Sequence, residues 1–186
     1  LKIIINNLIY NIMDKSGRLE LIIGPMYASK TTELIKIANR FKSINKKIIA
    51  VNHRINNRYG SCNIVSHDSK ELDDCVVIDK LELLNNNPKY LEADIVLIEE
   101  LQFFEDAYDF IVNSVDNDNK VIIAAGLDGD SNREPFGDVL KLIPHAEKIT
   151  KLSSFCKICS DGTPGYFTKR IKKNNDKILV GSKNEF

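Results

Sequence analysis

The chain has 186 residues, 43% of them hydrophobic and 28% charged, which indicates one globular domain with a small appendage at most. Its 26 basic and 26 acidic side chains cancel, so we expect no overall attraction to nucleic acid or to an anionic membrane. Four cysteines do not make a disulfide framework in a chain of this length, and only Cys156 and Cys159 are spaced as a motif.

The first residues, 1–16, precede the first predicted core strand. Residues 1–13 are apolar but interrupted by asparagines, and no small-residue cleavage site follows them. This pattern indicates neither a signal peptide nor a membrane span, so we expect a cytoplasmic protein. We interpret residues 1–16 as an N-terminal extension, in which residues 1–12 are either upstream or appended sequence or an extra edge strand.

A loop at residues 24–31 connects an apolar run, 19–23, to the helical pattern 32–41. A strand, a loop ending in Lys-Thr and a helix in this order are typical of a phosphate-binding loop, because backbone N–H groups and the positive helix end converge where Lys30 adds a charge. Thr31 would then hold Mg²⁺ through its hydroxyl. The alternative is an ordinary strand-to-helix turn with a solvated lysine. The predicted phosphate-binding residues are Gly24, Pro25, Met26, Tyr27, Ala28, Ser29, Lys30 and Thr31.

Ser29 is the one departure of this loop from the pattern G-x-x-x-x-G-K-[ST], since it replaces the second glycine. Glycine at that position allows a positive φ and a close approach of the phosphate. If the loop keeps its usual shape, we therefore expect Ser29 to cost roughly 1 kcal/mol of stability.

A second chemical signal is the run 93–98, which ends in two carboxylates, Glu99 and Glu100. Such a buried strand presents acid at the carboxyl edge of a parallel sheet, where ligands bind. With a phosphate loop upstream, Glu99 takes the place of the Mg²⁺-organising carboxylate, and Glu100 that of the group which orients the attacking water or hydroxyl. The alternative is a helix N-terminus enriched in acid.

The remaining elements predict an α/β fold, a doubly wound parallel sheet of the P-loop type with helices on both faces, over residues 17–152. A polar segment, 52–74, carries His53 and Arg58 and is long for a connection at 23 residues, which indicates a functional or mobile loop. Further strands are predicted at 47–51, 75–78, 121–125 and 148–152, and helices at 80–86, 105–116 and 138–143.

The composition changes after residue 152, where Cys156 and Cys159 lie at a predicted hairpin with a strand at 166–168. A Cys-x-x-Cys pair at a hairpin supplies two of the four ligands of a zinc ribbon, although a redox use of the thiols is an alternative. We therefore predict a small subdomain at 153–186, whose second ligand pair is absent from the chain and is expected beyond Phe186. The basic run 169–173 is interpreted as a solvated hairpin face.

Four motifs occur together in one order, and jointly they resemble the type II thymidine kinases, the cytosolic, human-like class. The motifs lie at 24–35, 99–104, 127–137 and 156–170. The resemblance implies transfer of the ATP γ-phosphate to the 5′-hydroxyl of thymidine by a RecA-like domain. It also implies a zinc-held lasso that closes over the base, a homotetramer, and inhibition by dTTP.

The resemblance also implies roles for individual residues. Glu100 would accept the 5′-hydroxyl proton, with Lys30 and Arg58 as the other catalytic groups, and Thr31 and Glu99 would hold Mg²⁺. Besides the loop at 24–31, the ATP site would include Asn56, Asn57, Arg58, Glu99 and Gln102. The thymidine site would include Met26, Phe103, Leu127, Phe136, Thr168, Lys177, Ile178, Leu179, Val180, Gly181 and Phe186.

Two other function classes remain open. A RecA-like nucleic-acid-dependent ATPase would share the loop and the carboxylates, but it is disfavoured by the zero net charge and by the lack of a basic and aromatic platform for stacking bases. A catalytically degenerate nucleotide-binding protein is suggested by Ser29, Glu99 and Asn56, each of which differs from the residue usual in the resembled family.

Overall fold

The computed structural model describes residues 17–56, 64–65, 71–72 and 75–170, and its centre is a six-stranded sheet in which every pairing is parallel. The strands of this sheet are β1 Arg18–Ile23, β2 Ile48–His53, β5 Cys75–Ile78, β6 Ile95–Ile98, β7 Val121–Gly126 and β8 Lys148–Lys151. Their spatial order is β5-β2-β6-β7-β1-β8. Two antiparallel pairs complete the described strands, β3 Ile64–Val65 with β4 Glu71–Leu72, and β9 Ser154–Phe155 with β10 Pro164–Gly165.

The α-helices are α1 Lys30–Lys42, α2 Pro88–Glu92 and α3 Ala107–Asp116, and 3₁₀-helices span Leu81–Asn86, Leu101–Phe103 and Val139–His145. The predicted helices at 32–41 and 105–116 correspond to α1 and α3, and those at 80–86 and 138–143 are 3₁₀ rather than α. Pro88 begins α2, because a proline at the first helical position loses no intrahelical hydrogen bond.

The core has one apolar layer on each face of the sheet. Along β1, Leu19, Leu21 and Ile23 belong to the layer that includes α3, whereas Ile22 packs in the layer that includes α1. This alternation follows from the two-residue period of a strand, and it requires apolar residues on both faces of the central strands. The predicted P-loop-type α/β fold with helices on both faces is therefore confirmed.

The carboxyl ends of the central strands meet at one edge of the sheet. In the parallel register Ile23 pairs with Gly126 across β1 and β7, and Ile98 pairs with Ala124 across β6 and β7. The residues that follow these strands therefore emerge side by side. That edge carries the loop at 24–29, the carboxylates after β6 and the segment after β7.

The strand β2 is longer than predicted. It extends to His53, whereas the sequence placed Asn52 and His53 in a polar connection. Both side chains are buried, with 6% and 9% of their surface exposed. A polar pair at the end of a strand looks like the start of a loop in the sequence, and only the pairing of β2 with β5 shows otherwise.

The second strand of the hairpin after β8 lies earlier in the chain than predicted. Its second strand is Pro164–Gly165, which pairs with Ser154–Phe155, and residues 166–168 are not in a strand. The division into units at 152–153 stays a prediction, and residues 1–16 and 171–186 lie outside the described part. Within the described ranges, no helix is long and apolar enough to cross a membrane.

Candidate active site

The loop between β1 and α1 has the backbone shape that glycine favours. Gly24 has φ +148, and a Cβ built there would lie 2.4 Å from the carbonyl oxygen of Leu152, so no larger residue fits. Tyr27 and Ser29 also have positive φ, 62 and 61. Ser29 is left-handed immediately before α1, which is the conformation in which the sequence analysis expected a serine to be strained.

Lys30 is the first residue of α1, and its ammonium group folds back over the loop. Its Nζ donates a hydrogen bond to the carbonyl oxygen of Pro25 at 2.7 Å. The charge is thus held at the positive end of the α1 dipole, beside backbone N–H groups that have no partner within the helix. This arrangement suits an anion with several oxygens, such as a polyphosphate.

Thr31 and Glu99 join the loop to the end of β6. The Thr31 hydroxyl donates to Oε1 of Glu99 at 2.6 Å, and only 5% of Glu99 is exposed. A hydroxyl and a carboxylate are hard oxygen ligands, the kind that Mg²⁺ takes in one or two positions beside substrate phosphates. The two residues predicted for Mg²⁺ therefore lie together, and their chemistry fits that ion.

Glu100 is held by Gln102, which bridges two strand ends. Nε2 of Gln102 donates to Oε2 of Glu100 at 2.6 Å, and Oε1 of Gln102 accepts from the backbone N–H of Leu127 at 2.9 Å. Gln102 is only 4% exposed, whereas Glu100 is partly exposed. The carboxylate is thus positioned but accessible, as a proton acceptor must be.

Several residues predicted to bind the nucleoside lie in the described part of the chain, next to these groups. They form two sets, and the members of each set contact one another. The rings of Phe103 and Phe136 meet edge to face, with their centroids 5.7 Å apart. On the other side, the backbone N–H of Met26 donates to the hydroxyl of Thr168 at 3.0 Å. This second contact ties the segment after the hairpin to the phosphate loop. Leu127 lies beside the first set, because its backbone N–H donates to Gln102, the residue that precedes Phe103.

The hairpin that carries the two cysteines also contacts the phosphate loop. Nζ of Lys157 lies 3.2 Å from the ring centroid of Tyr27, a cation–π contact. Near the end of the described chain, the guanidinium of Arg133 lies 5.4 Å from the ring centroid of Phe167. These contacts place 153–170 against the carboxyl edge of the sheet.

Cys156 and Cys159 are close enough to interact. Hydrogen bonds from the backbone N–H groups of Cys159 and Ile158 lower the pKa of Cys156, and the hydrogen bond with Cys156 raises the pKa of Cys159. Two thiols are half of a tetrahedral zinc set. Across residues 17–56, 64–65, 71–72 and 75–170, no group of three or more His, Cys, Asp or Glu side chains could hold a metal. Zinc at this hairpin stays a prediction.

Asn56 lies in the turn that follows β2, where its Nδ2 donates to Oδ1 of the buried Asn52 at 3.2 Å. Its own Oδ1 is buried and meets no hydrogen-bond donor in the described part of the chain. The other predicted residues on this segment, Asn57 and Arg58, lie outside the described residues. So do the predicted lasso residues, Lys177, Ile178, Leu179, Val180, Gly181 and Phe186.

His53 also belongs to the site, although the sequence predicts it only as part of the polar segment 52–74. It ends β2 at the same edge, and its ring centroid lies 5.8 Å from that of Phe103 and 4.7 Å from that of Phe104. Burial is the largest influence on it and lowers its pKa. The missed signal was the pair Asn52-His53 directly after the apolar run 48–51, which fits the end of a strand as well as the start of a loop.

The fold and these contacts define a class of protein, the P-loop phosphotransferases and nucleotide hydrolases. In that class a loop after one parallel strand binds phosphates, and carboxylates after a nearby strand organise Mg²⁺ and the attacking group. The thymidine kinase family model matches residues 17–186. The chain therefore belongs to the thymidine kinase family, as its four motifs predicted, and it is a kinase.

Individual relatives agree with the family assignment. The chain is 40% identical over 166 residues to a thymidine kinase of Choristoneura fumiferana entomopoxvirus, which covers 87% of this chain and 86% of the relative. It is 38% identical over 170 residues to the thymidine kinase of Sheeppox virus (strain KS-1), covering 91% and 92%. A thymidine kinase of Oryza sativa subsp. japonica is 34% identical over 169 residues, which are 89% of this chain but only 61% of that relative.

Proposed function

We propose that the chain transfers the γ-phosphate of ATP to the 5′-hydroxyl of thymidine. The observation that carries the proposal is the hydrogen bond between Thr31 and Glu99, because it joins the phosphate loop to the acidic end of β6. Phosphoryl transfer needs these two regions on either side of one phosphate group. The family and the names of the relatives supply the identity of the acceptor.

The loop and the first turn of α1 bind the ATP phosphates in this proposal. Backbone N–H groups, the positive helix end and Lys30 all present positive charge to one anion. Thr31 and Glu99 would hold Mg²⁺, which when bound neutralises charge on the phosphate oxygens.

Glu100 accepts the proton of the 5′-hydroxyl as that oxygen bonds to the γ-phosphorus and the bond from phosphorus to the ADP oxygen breaks. The hydrogen bond from Gln102 to Oε2 of Glu100 fixes the orientation of this carboxylate. Because phosphoryl transfer depends mainly on positioning and on charge stabilisation, a fixed carboxylate of this kind is sufficient as the base.

The nucleoside occupies the apolar side of the cleft in this proposal. Phe103 and Phe136 supply aromatic surface for a methylated pyrimidine, and the backbone near Met26 and Thr168 supplies polar groups at its edge. A lasso at 177–181 would close over the base and exclude water, which limits wasteful hydrolysis of ATP.

Further properties are proposed from the sequence and from the family resemblance. They are zinc at Cys156 and Cys159, a homotetramer, inhibition by dTTP, a cytoplasmic location, and a role in nucleotide supply for DNA synthesis. No nucleic-acid partner and no membrane partner are proposed, in keeping with the absence of net charge.

The test is formation of thymidine monophosphate from Mg·ATP and thymidine, with Glu100→Gln as the diagnostic variant. We expect the wild-type protein to form the product and the variant to lose at least about 100-fold in kcat, as is typical of a lost general base. Glu105→Gln is the matched control, because Glu105 is an exposed carboxylate just beyond the site, and it should retain activity.

Other outcomes of this test would support the other function classes. Hydrolysis of ATP that DNA stimulates, without any thymidine monophosphate, would support a nucleic-acid-dependent ATPase. Binding of ATP and thymidine in calorimetry without turnover would support a degenerate binding protein. Full activity of Glu100→Gln would remove that residue from the proposed chemistry.

A further inference from the structure

His53 is a buried, titratable side chain at the carboxyl edge of the sheet for which the proposed reaction has no role. It lies between two parts of the site. On one side its ring packs against Phe103, which in turn meets Phe136 edge to face at 5.7 Å. On the other side it contacts the turn that follows β2 and contains Asn56.

The turn after β2 depends on two acceptors of His53. Its side-chain Nδ1 accepts the backbone N–H of Ile55 at 3.1 Å, and its carbonyl oxygen accepts the N–H of Asn56 at 2.9 Å. A ring nitrogen that accepts a hydrogen bond carries no proton, so the proton of the neutral ring lies on Nε2. The direction in which the chain leaves β2 is therefore set partly by this side chain.

The aromatic side of His53 is equally well defined. Its ring meets Phe104 edge to face, at a centroid distance of 4.7 Å, and Phe104 is 1% exposed. Phe104 is thus a fixed wall, and Phe103 is the partly exposed ring beside it. A side chain smaller than imidazole would leave Phe103 without support on the β2 side.

We propose that His53 is a positioning residue with two separable effects. Its ring supports Phe103, which contacts the nucleoside in the proposed function, and its Nδ1 holds the turn that leads to Asn56. This inference rests on the proposed function and adds a residue to it. The sequence after the turn continues with Asn57 and Arg58, which are predicted for the ATP site. The two effects should therefore appear in different kinetic constants.

Two variants separate these effects. His53→Phe keeps an aromatic ring against Phe103 but cannot accept a hydrogen bond from the N–H of Ile55. We therefore expect kcat to fall about tenfold, the order expected for one lost hydrogen bond. The KM for thymidine should change little. His53→Asn places an oxygen acceptor near the position of Nδ1 but has no ring, so we expect the KM for thymidine to rise several-fold with kcat nearly unchanged. His145→Asn, at an exposed histidine, is the control.

Acidification offers a test in the wild-type protein. Burial is the largest influence on the ring and holds the pKa of His53 below its usual value, because it outweighs the backbone hydrogen bond with Asp79 and the charges of Asp79 and Asp106, all of which raise the pKa. The charge of Arg54 lowers the pKa further. Protonation takes away the acceptor but keeps the ring, and it should therefore lower kcat while the KM for thymidine stays level. The same loss of kcat should be absent from His53→Asn.

A measurement without turnover separates this inference from the proposed function. Amide hydrogen exchange at Ile55 should be slow in the wild type and in His53→Asn, and faster in His53→Phe. If the wild type makes no thymidine monophosphate, the proposed function fails and the exchange result still decides the role of Nδ1. The inference is overturned if both variants change kcat and KM in equal proportion, if neither changes them, or if exchange at Ile55 is the same in all three proteins.

Discussion

The hydroxyl of Thr31 donates a 2.6 Å hydrogen bond to Oε1 of Glu99, across 68 positions of sequence. The bond connects the first turn of α1 with the residue that follows β6. Glu99 is buried, with only 5% of its surface exposed. The resemblance to the family implies an aspartate at this position, which is one methylene shorter. In this chain the longer side chain still reaches the threonine, so the exchange does not separate the two predicted Mg²⁺ ligands.

Replacing Thr31 by valine should remove both this hydrogen bond and a proposed Mg²⁺ ligand. A hydrogen bond to a charged group contributes about 1.5–3 kcal/mol, so we expect kcat to fall by roughly 10- to 100-fold and the Mg²⁺ requirement to rise. Steady-state rates measured across a magnesium titration would show both effects. Thr31→Ser keeps the hydroxyl and should remain close to the wild type, and an equally large loss in the serine variant would contradict this role of the hydroxyl.

Ser29→Gly should stabilise the protein. The φ of 61 at Ser29 is strained for a residue with a Cβ. Glycine relieves this strain, although it is more flexible in the unfolded chain. We therefore expect the free energy of unfolding to rise by roughly 0.5–1 kcal/mol. The free energy of unfolding in urea measures it. Ser43→Gly is the control, because Ser43 has φ −65, where glycine relieves nothing. That variant should lose stability, and a loss in Ser29→Gly as well would show that the loop is not strained.

Much of the fold and of the phosphate site could be predicted from the sequence because its signals are local. Buried parallel strands are continuous apolar runs, and a phosphate-binding loop that begins with glycine and ends in Lys-Thr follows such a strand. The positive φ of Ser29 followed from the pattern in the same way. Parallel topology then brings the residues after β1 and β6 to one edge, which is why Thr31 and Glu99 were expected together.

Other parts of the site depend on contacts that no local pattern encodes. The end of β2 at His53 is set by pairing with β5, and polar residues there resembled a loop. The contact of Lys157 with Tyr27 joins positions 130 residues apart, 157 minus 27, and depends on how the hairpin packs on the loop. The predicted strand at 166–168 was wrong for the same reason, since β10 is a two-residue strand with no periodicity to detect.

Gln102→Met should lower kcat without unfolding the protein. Methionine has a similar length but cannot donate to Glu100 or accept from the N–H of Leu127, so the carboxylate loses its fixed orientation and a buried N–H loses its acceptor. We expect about a tenfold fall in kcat and a loss of roughly 1–2 kcal/mol in the free energy of unfolding. Steady-state kinetics and urea unfolding measure the two effects.

The control for this variant is Asn117→Met, because Asn117 makes an amide hydrogen bond to Asn113 on the exposed surface of α3. It should leave kcat unchanged. If Gln102→Met loses stability but keeps the wild-type kcat, then Gln102 supports the strand ends and does not position Glu100.

Tyr90→Phe should change how stability depends on alkaline pH. The Tyr90 hydroxyl lies 2.8 Å from Oγ of Ser114 and donates to Oδ2 of Asp118 at 2.9 Å, and burial raises the pKa of Tyr90 to about 12. In the unfolded chain a tyrosine has a pKa of about 10. Between pH 10 and 12 the unfolded state therefore loses a proton that the folded state keeps, and the stability due to this group falls by roughly 1 kcal/mol per pH unit.

The phenylalanine variant lacks this titration, so its free energy of unfolding should fall less steeply above pH 10 than that of the wild type. At pH 7 it should already be lower by about 1–2 kcal/mol, because Ser114 and Asp118 lose a partner. Urea unfolding at pH 7, 10 and 11 measures both differences. Tyr108→Phe is the control, since the Tyr108 hydroxyl contacts the exposed His145. Equal slopes for Tyr90→Phe and the wild type would mean that Tyr90 ionises as readily in the folded state as in the unfolded one.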